Sequence, residues 1–75
     1  MDKRAYQRAI KAYTVMGCLE AYRLNTEMGE GPAAIAALYR IPGVKTARQA
    51  DAAINAGRYI HNNEQAQRAL VGPVL

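Results

Sequence analysis

The residues best suited to covalent or acid–base chemistry are a single cysteine, Cys18, and a single histidine, His61. A nucleophile or a general base works only when a partner side chain holds it in place. Cys18 and His61 fall on different predicted helices, and neither has a third member at a useful spacing. Ligand spacings typical of metal sites are also absent from the sequence. We therefore expect a protein that is not an enzyme and that uses no cofactor or metal, with Cys18 as a buried, unreactive thiol and His61 in a structural or surface role.

A second group of side chains has the types that read DNA bases. Arginine suits the acceptor edge of guanine, and glutamine or asparagine suits adenine. These types share one side of a helix predicted at 47–61, where they are Arg48, Gln49, Asn55 and Arg58. The same residue types are ordinary on a helix that faces solvent. The pattern therefore leaves two readings open, base contact in a DNA groove and a solvated helix face.

Cations concentrate near the N-terminus. The chain has 10 Lys and Arg against 6 Asp and Glu, which gives a formal net charge of +4. Arg4, Arg8 and Lys11 follow one another at helical spacing, and Lys45 precedes the third predicted helix. Like charges at i, i+4 repel each other on an isolated helix, and contact with an anion relieves that repulsion. We expect these four residues to contact DNA phosphates, with an acidic protein surface or plain solvent as the alternatives.

The composition favours helices as the elements that position these side chains. Fifteen residues are alanine, while phenylalanine and tryptophan are absent. Such a sequence favours close helix packing over a core built on a sheet. A chain of 75 residues forms a single domain, so we predict an all-α fold over residues 1–75, a compact bundle of three to four helices with one long N-terminal helix.

Glycine and proline mark the predicted helix boundaries. The first helix should run over 2–28, with Asp2 favouring its start, and end at Gly29, which suits a left-handed position. Pro32 suits the first turn of a second helix at 32–40. The pair Thr46 and Gln49 forms a capping-box pattern that starts the third helix. We predict an interruption at Asn62 and Asn63, a short fourth helix at 64–70 and a stop at Gly72-Pro73, followed by an apolar C-terminal end.

The segment 32–60 loosely resembles a helix-turn-helix. It contains a helix with the small residues Ala36 and Ala37, a tight turn with Gly43 and Val44, and then the third helix. The resemblance implies that this third helix enters the major groove of double-stranded DNA. The run from Ile41 to Val44 also resembles the start of a helix-hairpin-helix, with Lys45 where that motif has its second glycine.

The first helix has more apolar surface than one packed face can bury. Its first half has a core stripe, made of Tyr6, Ala9, Ile10, Tyr13 and Met16. A second stripe points elsewhere and is the predicted protein interface, made of Val15, Cys18, Leu19 and Tyr22. Three explanations remain: a bend near Gly17, wrapping of the second half by the rest of the chain, or cover by another chain.

Our first functional hypothesis is a small homodimeric DNA-binding or transcription-regulatory protein. The alternative is a non-enzymatic adaptor or inhibitor, of the kind that small phage or plasmid genes encode, which binds and blocks a larger host protein. We expect a cytoplasmic location, because the chain has one cysteine and neither a secretory signal nor a membrane-length apolar run. We expect neither a membrane partner nor a small-molecule substrate.

Overall fold

The fold contains three helices and no strand over residues 2–71, which a computed structural model describes, with side chains described for residues 2–63. The helices are α1 (Lys3–Met28), α2 (Pro32–Leu38) and α3 (Ala47–Val71). The predicted all-α class is confirmed. Residues 72–75, which include the predicted stop and most of the apolar end, lie outside the described residues.

The predicted start and end of α1 are confirmed in atomic detail. The Asp2 carboxylate accepts a hydrogen bond of 2.7 Å from the backbone N–H of Ala5, so it satisfies one of the unpaired donors of the first turn. At the other end Gly29 has a φ of 70°, and its N–H bonds to the carbonyl of Asn25 at 3.0 Å. Pro32 then occupies the first turn of α2, as predicted.

A sharp turn at Thr14 divides α1 into an N-terminal segment, residues 3–13, and a C-terminal segment, residues 15–28. Thr14 has φ 65° and ψ 160°, a backbone conformation that only glycine adopts readily. Its hydroxyl accepts a 3.0 Å hydrogen bond from the N–H of Gly17, which is how a threonine caps the start of a helix. The bend considered near Gly17 therefore lies three residues earlier, at a residue that starts the second segment.

The loop before α3 combines a turn with a capping box. Gly43 has a φ of 90°, and the N–H of Val44 bonds to the carbonyl of Ile41 at 3.0 Å, which fits a type II turn with proline at its second position. The Thr46 hydroxyl accepts from the N–H of Gln49 at 3.2 Å, and the Gln49 amide oxygen accepts from the N–H of Thr46 at 3.1 Å. This reciprocal pair confirms the predicted capping box.

Two predicted boundaries differ from the structure. α2 ends at Leu38, two residues early, and the turn hydrogen bonds that follow lead into Ile41. α3 continues through Asn62 and Asn63 to Val71, so the predicted interruption and the separate fourth helix at 64–70 are wrong. Asparagine has only a modest helix cost, which the hydrogen bonds of a long helix override.

The core lies between α1 and α3, and small side chains dominate it. Ala21, Ala53 and Ala56 are fully buried, and the larger side chains around them include Tyr13 and Ile60. α2 packs on α1 and makes little contact with α3. Because the two helices of a helix-turn-helix pack directly on each other, the arrangement predicted for 32–60 is not confirmed.

Candidate nucleic-acid interface

A shallow groove of about 310 Å³ runs between the N-terminal segment of α1 and the start of α3. Arg8 belongs to the α1 wall, and Arg48 belongs to the α3 wall. Four alanines, including Ala9 and Ala12, form much of the remaining lining, so most of it is small and apolar. Both arginines are exposed. The fold therefore brings together two cations that lie forty residues apart in the sequence.

The cations of α1 extend this groove along the helix. Arg4, Arg8 and Lys11 line an adjoining open depression together with Gln7 and Ile10. Arg8 lines both the depression and the groove. We call the exposed set of Arg4, Arg8, Lys11 and Arg48 the cationic face.

The cationic face has no anionic partner among residues 2–63. The ion pairs in that part of the chain join Arg23 to Glu20 and to Glu27, the latter at 2.7 Å. The hydrogen bond from Arg23 holds the pKa of Glu20 below its usual value, so this carboxylate is already committed to Arg23. Positive charge on the cationic face is therefore available to an external anion.

A second polar cluster lies further along α3. Asn55 and Arg58 line a small depression with Tyr59 and Asn62. The Arg58 guanidinium donates to the Asn55 side-chain oxygen at 3.2 Å, and its central carbon lies 6.0 Å from the ring centre of Tyr22. These contacts hold the predicted base-reading pair in one orientation on the surface.

Ring contacts attach both parts of α1 to this region of α3. Tyr6 and Tyr59 have ring centres 4.6 Å apart, and Tyr22 and His61 have ring centres 5.1 Å apart. Such aromatic pairs contribute about 0.5–1.5 kcal/mol beyond the area they bury. The Tyr6–Tyr59 pair holds the N-terminal segment, with Arg4, Arg8 and Lys11, against α3, and the Tyr22–His61 pair holds the C-terminal segment.

The remaining two predicted contacts have local roles in the loop before α3. The Gln49 amide oxygen accepts from the N–H groups of Lys45 and Thr46, so the side chain folds back over the helix start. Gln49 also lines the groove beside Arg48 but is only partly exposed. Lys45 is exposed at the same end of α3.

The predicted protein interface is divided between surface and core. Cys18 is fully buried, with its thiol 3.8 Å from the carbonyl of Ala9, and burial raises its pKa. Leu19 and Tyr22 are half-buried, and Val15 remains 43% exposed. The turn at Thr14 divides this stripe, so Cys18 faces the N-terminal segment and α3 whereas Val15 stays at the surface.

Met16 is the apolar residue that sequence reasoning missed. Its predicted place in the core stripe is wrong, because the side chain is 76% exposed. The predicted stripe requires a regular helix through Thr14. The turn at Thr14 changes the direction of the helix, so Met16 lies on its exposed side. The available signal was a threonine three residues before a glycine, a spacing that allows a cap within the helix.

The described part of the chain contains no cluster of three or more His, Cys, Asp or Glu able to hold a metal ion. None of its helices has both the length and the hydrophobicity that a bilayer crossing requires. Comparison with protein-family models, curated proteins and solved structures found no significant match.

Proposed function

We propose that the protein is a non-enzymatic, cytoplasmic, double-stranded-DNA-binding protein with a regulatory role. The observation that carries this proposal is the groove with Arg8 on one wall and Arg48 on the other, both exposed and without anionic partners among the described residues. Arg4 and Lys11 extend the same charge along α1. Lysine and arginine contacts to phosphates supply most of the affinity in non-specific DNA binding.

The roles of the residues divide by position. We assign phosphate contacts to Arg4, Arg8, Lys11 and Lys45, and also to Arg48, which lines the same groove as Arg8. Asn55 and Arg58 supply base contacts, since they form an oriented pair on the exposed side of α3. Gln49 acts as the cap of α3 and makes no base contact of its own.

A titration of fluorescently labelled duplex DNA, followed by anisotropy at low salt, tests the proposal. Arg48→Gln and Arg8→Gln should each weaken binding several-fold. Arg40→Gln is the matched control, because Arg40 is exposed and lines a different depression, with Thr14 and Met16. The same loss for Arg40→Gln as for Arg48→Gln, or no binding by the unmodified protein at low salt, would overturn the proposal.

The proposed DNA-binding unit is a homodimer that associates through the start of the C-terminal segment of α1. Val15 and Met16 are adjacent there, 43% and 76% exposed. Sedimentation equilibrium should give a dimer for the unmodified protein and a monomer for Met16→Lys. A monomer for both proteins would contradict this assembly.

The same two side chains support the second candidate function. In this alternative the protein is a phage- or plasmid-type adaptor or inhibitor that docks on a larger host protein. A docking protein would bind its target through Val15 and Met16, and Arg48→Gln would leave its function unchanged. The DNA titration thus separates the two candidates before any partner is known.

A further inference from the structure

A separate cavity of about 300 Å³ lies between the end of α1, the short helix α2 and the start of α3. α2 packs mainly on α1 and makes little contact with α3, and residues of both α2 and α3 line the cavity. Its volume is at the lower end of the range of small-ligand pockets, about 300–1,000 Å³. It is distinct from the groove that carries the cationic face.

One side of this cavity is lined by large apolar side chains. Leu38 and Ile54 are buried and contribute to the floor. Ile35 and Tyr39 also line it and are 44% and 43% exposed. Large apolar side chains are costly to leave in water, so two of them at one cavity favour an apolar occupant.

The charged groups of the cavity are two carboxylates, Glu30 and Asp51. Both residues are exposed, and neither forms an ion pair or hydrogen bond with another residue in 2–63. Arg23, the nearest cation along α1, already pairs with Glu20 and Glu27. A chain with net charge +4 therefore has one cavity whose described lining carries only negative charge.

We propose that this cavity binds a small organic cation, a primary ammonium or guanidinium group attached to an aromatic or branched aliphatic body. The body enters between Leu38 and Ile54, and the cation lies between the carboxylates of Glu30 and Asp51. The Tyr39 ring at the rim contributes an aromatic surface for the cation or the body. The charge of the lining selects a cation, and the volume selects a small molecule over a second protein chain, whose interface needs about 1,000 Å² or more.

Two probes with the same ring and opposite charge test the proposal, tryptamine and indole-3-propionate. Each is titrated into the isotopically labelled protein, and two-dimensional NMR follows the backbone amides. Tryptamine should give saturable shifts at Ile35, Leu38 and Ile54, with an affinity at least about tenfold above that of the anion. Equal affinity for both probes, shifts centred on another surface, or no saturable binding of tryptamine below about 10 mM would each overturn the proposal.

Three variants examine the site itself. Glu30→Gln and Asp51→Asn should each weaken tryptamine binding about two- to fivefold, as expected for exposed charge pairs. Ala47→Leu adds bulk at an exposed position of the lining and should weaken binding without disturbing the fold. Glu20→Gln is the matched control, since it removes one negative charge outside the cavity. A loss of affinity for Glu20→Gln as large as that for Asp51→Asn would contradict the assignment.

Discussion

Gly57 of α3 lies directly against the backbone of Cys18 in α1. A β-carbon built on Gly57 would overlap the carbonyl oxygen of Cys18 and would lie 2.7 Å from Cβ of Tyr22. Two helices approach this closely only where one of them has no side chain. This contact sets the distance between the C-terminal segment of α1 and α3.

Gly57→Ala should therefore destabilise the protein strongly. The overlap is with backbone, which cannot rotate away, so we expect a loss at or above the top of the overpacking range, about 3 kcal/mol. Urea unfolding followed by circular dichroism measures it. Gly17→Ala is the comparison, because its added carbon would meet side-chain atoms and no backbone, with Cγ2 of Ile41 at 3.1 Å and the Thr14 hydroxyl at 3.3 Å. A Gly57→Ala protein as stable as Gly17→Ala would refute the close approach.

Substitutions at Thr14 distinguish a turn from a continuous helix. Within a continuous helix alanine is better than glycine by about 1 kcal/mol. At a φ of 65° the order reverses, because both variants lose the hydroxyl cap but only glycine removes the backbone strain of about 1–3 kcal/mol. We expect Thr14→Gly to be more stable than Thr14→Ala in urea unfolding. Finding Thr14→Ala more stable would mean that α1 is continuous.

The pH dependence of stability should report the burial of Cys18. Burial raises the pKa of its thiol, so the unfolded chain loses this proton at lower pH than the folded chain does. The contribution of this thiol to the free energy of unfolding is complete below its pKa in the unfolded chain, about 8.5. It declines as the pH rises towards the higher pKa of the folded chain. The difference in unfolding free energy between the unmodified protein and Cys18→Ala should shrink over that range. A difference that is constant from neutral to alkaline pH would show an accessible thiol.

Gln49→Ala separates helix capping from DNA contact. The substitution removes the acceptor for the N–H groups of Lys45 and Thr46, so stability should fall by about 0.5–2 kcal/mol. DNA affinity of the folded variant should change less than about twofold, well below the effect of one lost bidentate base contact. An unchanged unfolding midpoint together with a large loss of affinity would instead make Gln49 a base-reading residue.

The salt dependence of DNA binding counts the cations in contact with phosphate. Five contacts, from Arg4, Arg8, Lys11, Lys45 and Arg48, predict a slope of log affinity against log salt of about −4.5, and the double variant Arg8→Gln/Arg48→Gln should reduce it to about −2.7. Affinities measured between about 50 and 200 mM salt give the slope. A slope that the double variant leaves unaltered would remove these two arginines from the interface.

Much of the fold could be predicted because its signals are local. The cap at Asp2, the left-handed Gly29, the proline that starts α2 and the capping box of Thr46 and Gln49 each depend on groups within a few residues of one another. The candidate site was predictable as a set of residue types. Its assembly was not, since Arg8 and Arg48 line one groove only after α1 packs on α3.

The sequence alone therefore determined the helical class, most helix boundaries and the chemistry of the exposed side chains. Tertiary structure decided which apolar residues are buried, because the turn at Thr14 places Cys18 in the core and leaves Met16 in solvent. α3 continues through Asn62 and Asn63, where a break was predicted, because the hydrogen bonds of a long helix outweigh the modest helix cost of asparagine. Local hydrogen bonds specify where helices start, end and turn, as at Thr14, whereas the packing of α1 on α3 decides which side of each helix is buried.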